Sequence, residues 1–563
     1  MASQMQKSLS STSGLASPQE SVFSQTTPQD PASAEGTSDI FPRPPGLAFH
    51  GHPDSVDDPH IQGQSEGGHS STMIAQSPIA HVPQRAASIQ QDPCGDPVFP
   101  NALLGVIIDD FFTYVYPIVP MVHRPTFLKN FRENRHTHDA NFFALVWAMC
   151  AATIAHHSEK LMTYQSASTP LLIQTRLEVV QYCHVRSIQL RGPQYFDEVS
   201  QAKWATAYFY YTAFYQVGDI NKSRMLEMET VLFARLLELH RISAYAGLNC
   251  IETQLRKKAF AVMMHAYVHY ELQNIRKEKI AFIDCSTLHE IDLEELLPMP
   301  QDDEDITETE YGFHDIAQPS LAAGLRLRAE LFLIAVTEIT SKSRRGSKKV
   351  HCRCTRLIDP MSYNLHLRSR LYELKYRLDS APWYLRQWAP RDLGTGVTPD
   401  KEFQIGLLRA DIHTTHLWLQ TSILEHLDYL TPTLSSSSPG FSSSPQEILQ
   451  LTSSSPWEQR EEICRQMLQV LCSTPHLCLD ILGIYLIYKI RDVASPLFSY
   501  LESNGEASPP PGFYGRAKQY LQEFSDKLQQ LDRSGKPNFE SLQTWVDTDK
   551  NNSINGRPNT LIS

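Results

Sequence analysis

His265 and His269 stand four apart in the segment HAYVH, the spacing that puts two imidazoles on one face of a helix and lets them share a metal ion. Zinc needs further ligands, and Ala266 occupies the place where a metalloprotease carries its glutamate. Two histidines on an aromatic helix read more simply as packing, and the pairs His156-His157 and His136/His138 offer less. His351, Cys352 and Cys354 bring an imidazole near two thiols, but cysteines one residue apart with no second pair do not make a zinc site. Gly394-Thr395-Gly396 lacks the third glycine of a dinucleotide fingerprint, and there is neither a phosphate-cradling loop with its lysine nor a GxSxG elbow. No catalytic residue, metal ligand or cofactor follows from these spacings, so the expectation is a protein that is not an enzyme.

Charge narrows the partners. The net charge is −12, which argues against broad attraction to nucleic acid. One basic cluster stands out, KSRRGSKKVHCRCTR, with Lys342, Arg344, Arg345, Lys348 and Lys349 at its heart. A solvated loop between helices, a nuclear import signal and a weak phosphate contact all fit it. No basic recognition helix or zinc finger is evident, so no DNA-binding residue is identified.

Such residues need a scaffold, and helical periodicity supplies it. Residues 1–98 are rich in Ser, Pro, Gln and Gly, carry ten acidic residues against Lys7, Arg43 and Arg85, and read as a disordered acidic segment. From Asn101 the texture becomes apolar and helical. Asn141–His157 is apolar on nearly every face, and Gln201–Val217 carries Trp204, Tyr208, Tyr211 and Tyr215 as one aromatic stripe, more often packing than a cofactor box. Asp219–Arg241 aligns Met225, Met228, Leu232, Leu236 and Leu239, and further helices follow at Ile251–Asn274, Ser320–Lys342, Ser362–Ala381 and Gln404–Leu430. The run Glu290–Glu310 holds ten acidic residues and no basic one, and reads as a surface excursion. A Ser/Pro-rich linker over 431–456 precedes C-terminal helices over 457–546 and a polar tail over 547–563. The fold class is all-α. The longest uncharged apolar run, Asn141–Ala155, is shorter than the roughly 20 residues a membrane span needs. The ten cysteines are scattered as expected for a reducing compartment.

The sharpest local feature is DDFFTYVYPIVPMVHRPTFLKNF, from Asp109 to Phe131. Pro117, Pro120 and Pro125 interrupt any helix, because each lacks an amide donor and restricts its predecessor. A helix end, an extended crossing and a restart capped by Thr126 are expected.

That stretch resembles the opening of the fungal-specific transcription factor domain, the regulatory domain of fungal zinc-cluster activators, through Pro117, Pro120, His123, Arg124, Pro125 and Phe127. The segment ending at Arg235, His240 and Arg241 is similar to that family's "AR-x-L-x-LHR", and Glu252, Arg256, Lys257, Lys258 and Phe260 to its next helix. Pro298, Asp302, Asp303 and Glu304 resemble its proline-and-acid loop, so the likeness covers about residues 104–306, within a helical domain expected over 99–430. The resemblance implies a multi-helix regulatory domain of a nuclear transcription regulator, serving metabolic or secondary-metabolite genes. One feature departs from the pattern. Before Cys150 the sequence has only Cys94, so the six-cysteine zinc cluster is not there. A DNA-binding partner, indirect contact with promoter DNA, and homo- or hetero-oligomerisation are therefore expected. A helical ligand-binding or scaffold protein is the alternative.

Overall fold

The computed structural model describes residues 99–273, 282–283, 291–313, 315, 317–335, 360–390, 392–394, 396–436, 456–502 and 512–532. All lie within one unit, Pro83–Ser563. Among them are fourteen α-helices and no strand, only an isolated bridge between Ile306 and Tyr311. The fold is all-α, as the periodicity requires. The N-terminal 98 residues, the basic cluster Lys342–Arg356 and the polar tail lie outside the described residues.

The first eight helices are α1 (Asn101–Asp110), α2 (Arg124–Arg132), α3 (Ala140–His156), α4 (Lys160–Gln165), α5 (Arg176–Gln189), α6 (Gln201–Gln216), α7 (Ile220–Leu236) and α8 (Cys250–Gln273). The last six are α9 (Leu321–Ala335), α10 (Pro360–Arg377), α11 (Pro399–Ser436), α12 (Pro456–Ser473), α13 (His476–Glu502) and α14 (Phe513–Asp532). Local chemistry sets many of their starts. The Asp139 carboxylate accepts from the amides of Asn141 and Phe142 at 2.9 and 3.0 Å and so caps α3. Thr175 and Glu178 form a capping box on α5, which sets its start at Arg176. Pro399 opens α11, where a missing amide hydrogen costs nothing.

The buried face of α3 is nearly the whole helix, and it packs against α1, α5 and α6. In turn α6 lies against α7, while α11 gathers α9, α10, α12 and α13 around it. The bridge between the two groups is α13, which also touches α3 and α6, together with α8 against α9. One continuous apolar core runs through both groups. No helix is long and apolar enough to cross a membrane among the described residues.

Several expectations are corrected. The helix does end before the crossing, at Val115, and α2 restarts at Arg124, but the last turn of that helix, Phe111–Val115, is widened into a π-helical turn, closed by the Tyr116 amide on the Phe111 carbonyl at 2.9 Å. The cap of α2 is His123, not Thr126. Its Nδ1 faces the Thr126 amide at 3.4 Å, and Pro125 fits the first turn because no donor is needed there. The stripe Met225, Met228, Leu232 and Leu236 on α7 is solvent-facing (72, 49, 49 and 55 % exposed), whereas Leu226, Val231, Phe233 and Ala234 are buried. That helix has two apolar stripes, and periodicity alone does not say which meets the core. Glu290–Glu310 is no mere surface excursion, since Asp303 is buried. Finally, α11 runs to Ser436, six residues into the segment expected to be linker.

Candidate functional site

The proline joint is fixed by one carboxylate. Asp303 Oδ2 accepts from the Tyr116 hydroxyl at 2.5 Å and from the Arg124 amide at 2.8 Å, and Oδ1 accepts from Lys258 Nζ of α8 at 2.5 Å. His123 Nε2 donates to the Asp303 carbonyl at 2.9 Å, which leaves Nδ1 unprotonated to accept from Thr126. Burial alone would raise the Asp303 carboxyl, but the Lys258 ammonium and the Tyr116 hydroxyl hold it below the ordinary carboxylate value. Burial, then the Asp303 charge, push the Tyr116 phenol well up, so it remains a donor. This cluster is satisfied internally and holds the joint; it offers no surface for chemistry.

Beside the joint lies a cavity of about 330 Å³. Its aromatic wall is the stripe of α6, Tyr208, Tyr211 and Tyr215, facing Tyr485 and Tyr488 of α13. Tyr215 and Tyr485 meet at 4.9 Å between centroids with their planes tilted by 35°, and Trp204 behind them, wholly buried, stacks on Tyr208 at 5.1 Å. Burial raises the Tyr208 phenol to about 12 and pushes that of Tyr211 well up, so both remain protonated. His265 and His269 from α8 also line the cavity; rather than sharing a metal, His265 stacks on Phe332 at 4.3 Å and His269 stacks on Trp418 at 4.2 Å, with Phe332 tilted against it at 5.4 Å. Burial, with Arg328 next, lowers the His265 imidazole well below its usual value, and burial with Lys489 lowers His269 to about 3. Both are neutral rings.

The polar wall is a buried triad. Asp411 of α11 binds Arg328 Nη1 of α9 through Oδ2 and Lys489 Nζ of α13 through Oδ1, the latter at 3.0 Å. Lys489 also donates to Thr415 Oγ1 at 2.6 Å, and Arg328 Nη2 to the Ile118 carbonyl of the joint at 2.8 Å. Burial would raise the Asp411 carboxyl, but Lys489 and Arg328 force it far below the usual range. The triad therefore ties the joint, α9, α11 and α13 together and gives the wall two cations against one carboxylate.

A break in α13 adjoins this wall. Gly483 takes φ of 58°, and Gln216 of α6 fills the gap, its Oε1 accepting from the Ile484 amide at 3.0 Å. His156 Nδ1 meets the Ile481 carbonyl at 3.1 Å beside it.

Of the residues singled out by sequence, Pro117, Pro120 and His123 are buried in the joint, and Arg124 meets Glu304 at 3.9 Å and the Phe112 ring at 5.5 Å. Phe127 packs on Phe142 at 5.1 Å, while Pro125 is exposed. Asp302 caps α9, accepting from the Ala322 amide and the Ser320 hydroxyl at 2.9 Å, and binds Lys401 at 2.7 Å. Arg235 Nε donates to the Phe282 carbonyl at 3.3 Å, and His240 sets its ring edge-on to Phe282. Arg241 pairs with Glu238 and Arg256 with Glu252, both locally. Lys342, Arg344, Arg345, Lys348 and Lys349 lie outside the described residues. Thus the joint and the acidic loop meet around Asp303, and the other positions do not join them. Sequence reasoning missed Arg328, Asp411 and Lys489. Each is a buried charge, rare unless paired, but its helix carries other charges as well (Arg326 and Glu330, Arg409, Arg491 and Asp492), so the sequence did not single it out. Among the described residues no cluster of His, Cys, Asp or Glu is suited to a metal. The cavity is chemically a binding chamber, with hydroxyl donors, neutral imidazoles and an excess of positive charge.

Residues 108–197, from the end of α1 through α5, match the family model of the fungal specific transcription factor domain. No curated protein and no solved structure matches the chain. The domain match supports a fungal transcription regulator in general.

Proposed function

We propose that the chain is a nuclear regulator of a metabolic or secondary-metabolite gene set, brought to promoters by a DNA-binding partner. The observation that carries this reading is the domain match over residues 108–197, which includes the proline joint. Partner dependence is supported by the residues before Cys150, among which Cys94 is the only cysteine, too few thiolates in that segment to hold a zinc cluster that delivers side chains to base edges. A docking face is also to hand. The aromatic stripe of α6 is turned inward, but Met225, Met228, Leu232 and Leu236 form an exposed apolar row at spacings of three, four and four along α7.

The test is chromatin immunoprecipitation of the tagged full chain, followed by mobility shifts with the enriched sequences. Enrichment at discrete promoters, without specific binding by the purified chain, is expected. Replacing Met225 and Leu232 by Asp should abolish enrichment while leaving the helical circular dichroism spectrum unchanged. No enrichment above an untagged control would overturn the regulator reading. Specific nanomolar binding by the purified chain at physiological salt would overturn partner dependence alone.

A further inference from the structure

We propose that the aromatic cavity is an effector site for a small aromatic carboxylate, its ring among Tyr208, Tyr211 and Tyr215 and its anion against Arg328 and Lys489. Calling the ligand an effector rests on the regulator reading above; its binding does not.

Size comes first. A cavity of about 330 Å³ lies at the lower end of the range for small-molecule sites, roughly 300–1,000 Å³. At roughly 30 Å³ per water it holds the equivalent of about 11 waters, so one or two fused rings with a short polar group would fill it.

Charge comes next. The cavity wall carries Arg328, Lys489 and Asp411, with His265 and His269 neutral. One buried positive charge is therefore left without a counter-charge in the wall, an arrangement that costs energy until an anion enters. Glu227 belongs instead, with Tyr211, to a separate void of about 10 Å³. The same excess disfavours an organic cation, even though tyrosine faces would otherwise suit one. Donor capacity also remains, since Arg328 Nε and His265 Nε2 are buried with no hydrogen-bond partner among the described residues. A planar carboxylate matches a guanidinium in two-point contact, and flat tyrosine rings favour a flat body.

Position gives the ligand a lever. Arg328 holds the joint through the Ile118 carbonyl, and Lys489 sits six residues beyond the break at Gly483. An anion that draws either cation away from Asp411 acts on elements from both halves of the fold.

The experiment is isothermal titration of the purified full chain with 2-naphthoate, against 2-naphthalenemethanol as the uncharged control. We expect one naphthoate per chain and at least ten-fold weaker binding of the alcohol. Lys489→Met removes the excess cation while Arg328 and Asp411 remain paired. It should weaken naphthoate at least ten-fold and leave the alcohol unchanged. Ala266→Leu fills the chamber without removing any ion, so it keeps the test open if the lysine variant fails to fold, and it should abolish binding of both probes. No naphthoate binding at millimolar concentration, equal binding of the alcohol, or full binding by Ala266→Leu would each overturn the site. Loss of binding with chromatin enrichment intact would sink the site alone. Binding as expected, with no chromatin enrichment, would sink the regulator reading and leave the site standing.

Discussion

Asp303 shows how a buried charge can organise a segment far away in sequence. Two opposing effects act on it: desolvation, which favours the protonated acid, and the Lys258 ammonium with the Tyr116 hydroxyl and Arg124 amide, which favour the anion. The second wins, because the carboxyl is held below its ordinary value. Each of these donors lies in a different place, Tyr116 and Arg124 in the joint and Lys258 on α8, so the charge is shared structurally. Asp303→Asn would strand the Lys258 ammonium in a site where its side chain is 2 % exposed. We expect a loss of about 3–5 kcal/mol in urea unfolding, the usual cost of breaking a buried pair from one side. Tyr116→Phe removes one hydrogen bond to a charged group and should cost about 1.5–3 kcal/mol. The double variant Lys258→Met/Asp303→Asn removes both charges and should recover much of the single loss. An Asp303→Asn loss smaller than that of Tyr116→Phe would show that the ion pair does not govern the joint.

At the scale of the element, α13 is governed by one glycine. Gly483 has φ of 58°, and a Cβ there would stand 2.3 Å from Gln216 Oε1. With ψ of −135° this is a positive-φ conformation that side chains avoid, so Gly483→Ala meets both a backbone penalty of roughly 1–3 kcal/mol and a displaced Gln216 that no longer serves the Ile484 amide. We expect a lower thermal midpoint for Gly483→Ala, and only partial recovery in Gly483→Ala/Gln216→Ala, since the second change relieves the clash but not the backbone. Full recovery would assign the whole cost to the clash. This break also marks the limit of what the sequence discloses. The separation of α12 from α13 at Pro475 was legible, because proline lacks an amide donor and turns the residue before it away from the helical conformation, although Pro496 is tolerated within α13. The Gly483 break was not, because a lone glycine in a helical pattern is tolerated and only its contact with Gln216, on α6, fixes its conformation. The same holds for the site. Tyr208, Tyr211 and Tyr215 were visible as a stripe, yet whether a stripe faces core or chamber depends on α13, whose Ile484 lies 268 residues beyond Gln216. On α7 two apolar stripes competed, and the core claimed the one containing Phe233 and Ala234. The acidic loop read as solvated because its compensating Lys258 lies 45 residues earlier.

For the molecule as a whole, the neutral histidines set the response to acid. Burial, against the hydrogen bonds to the Leu385 and Leu374 carbonyls and with Arg409 and His413 beside them, holds His413 and His416 at about 4, and burial with Lys489 holds His269 at about 3. His413 Nε2 donates to the Leu385 carbonyl at 2.9 Å and His416 Nε2 to the Leu374 carbonyl at 2.8 Å, contacts that a neutral ring already satisfies. The sign follows from linkage. In the unfolded chain these imidazoles take up protons below about pH 6.5, whereas in the folded chain they resist until about pH 3–4, so between those limits the unfolded state binds more protons. Their contribution is complete above pH 6.5 and shrinks as pH falls, by about 1.4 kcal/mol per pH unit for each group. Asp303 and Asp411, with folded values below the ordinary carboxylate range, act only at lower pH, below roughly 4. Three histidines acting together can exhaust a typical stability of about 5–15 kcal/mol within two or three pH units. We therefore expect helical circular dichroism to be lost cooperatively between pH 6 and 4, well before the carboxylates of the two ion-pair clusters titrate. The double variant His413→Gln/His416→Gln, whose amides can still donate to the Leu385 and Leu374 carbonyls, should shift that acid midpoint downward. An unaltered signal from pH 7 to 4 in the parent chain, or an unmoved midpoint in the variant, would show that these rings titrate alike in the folded and unfolded states.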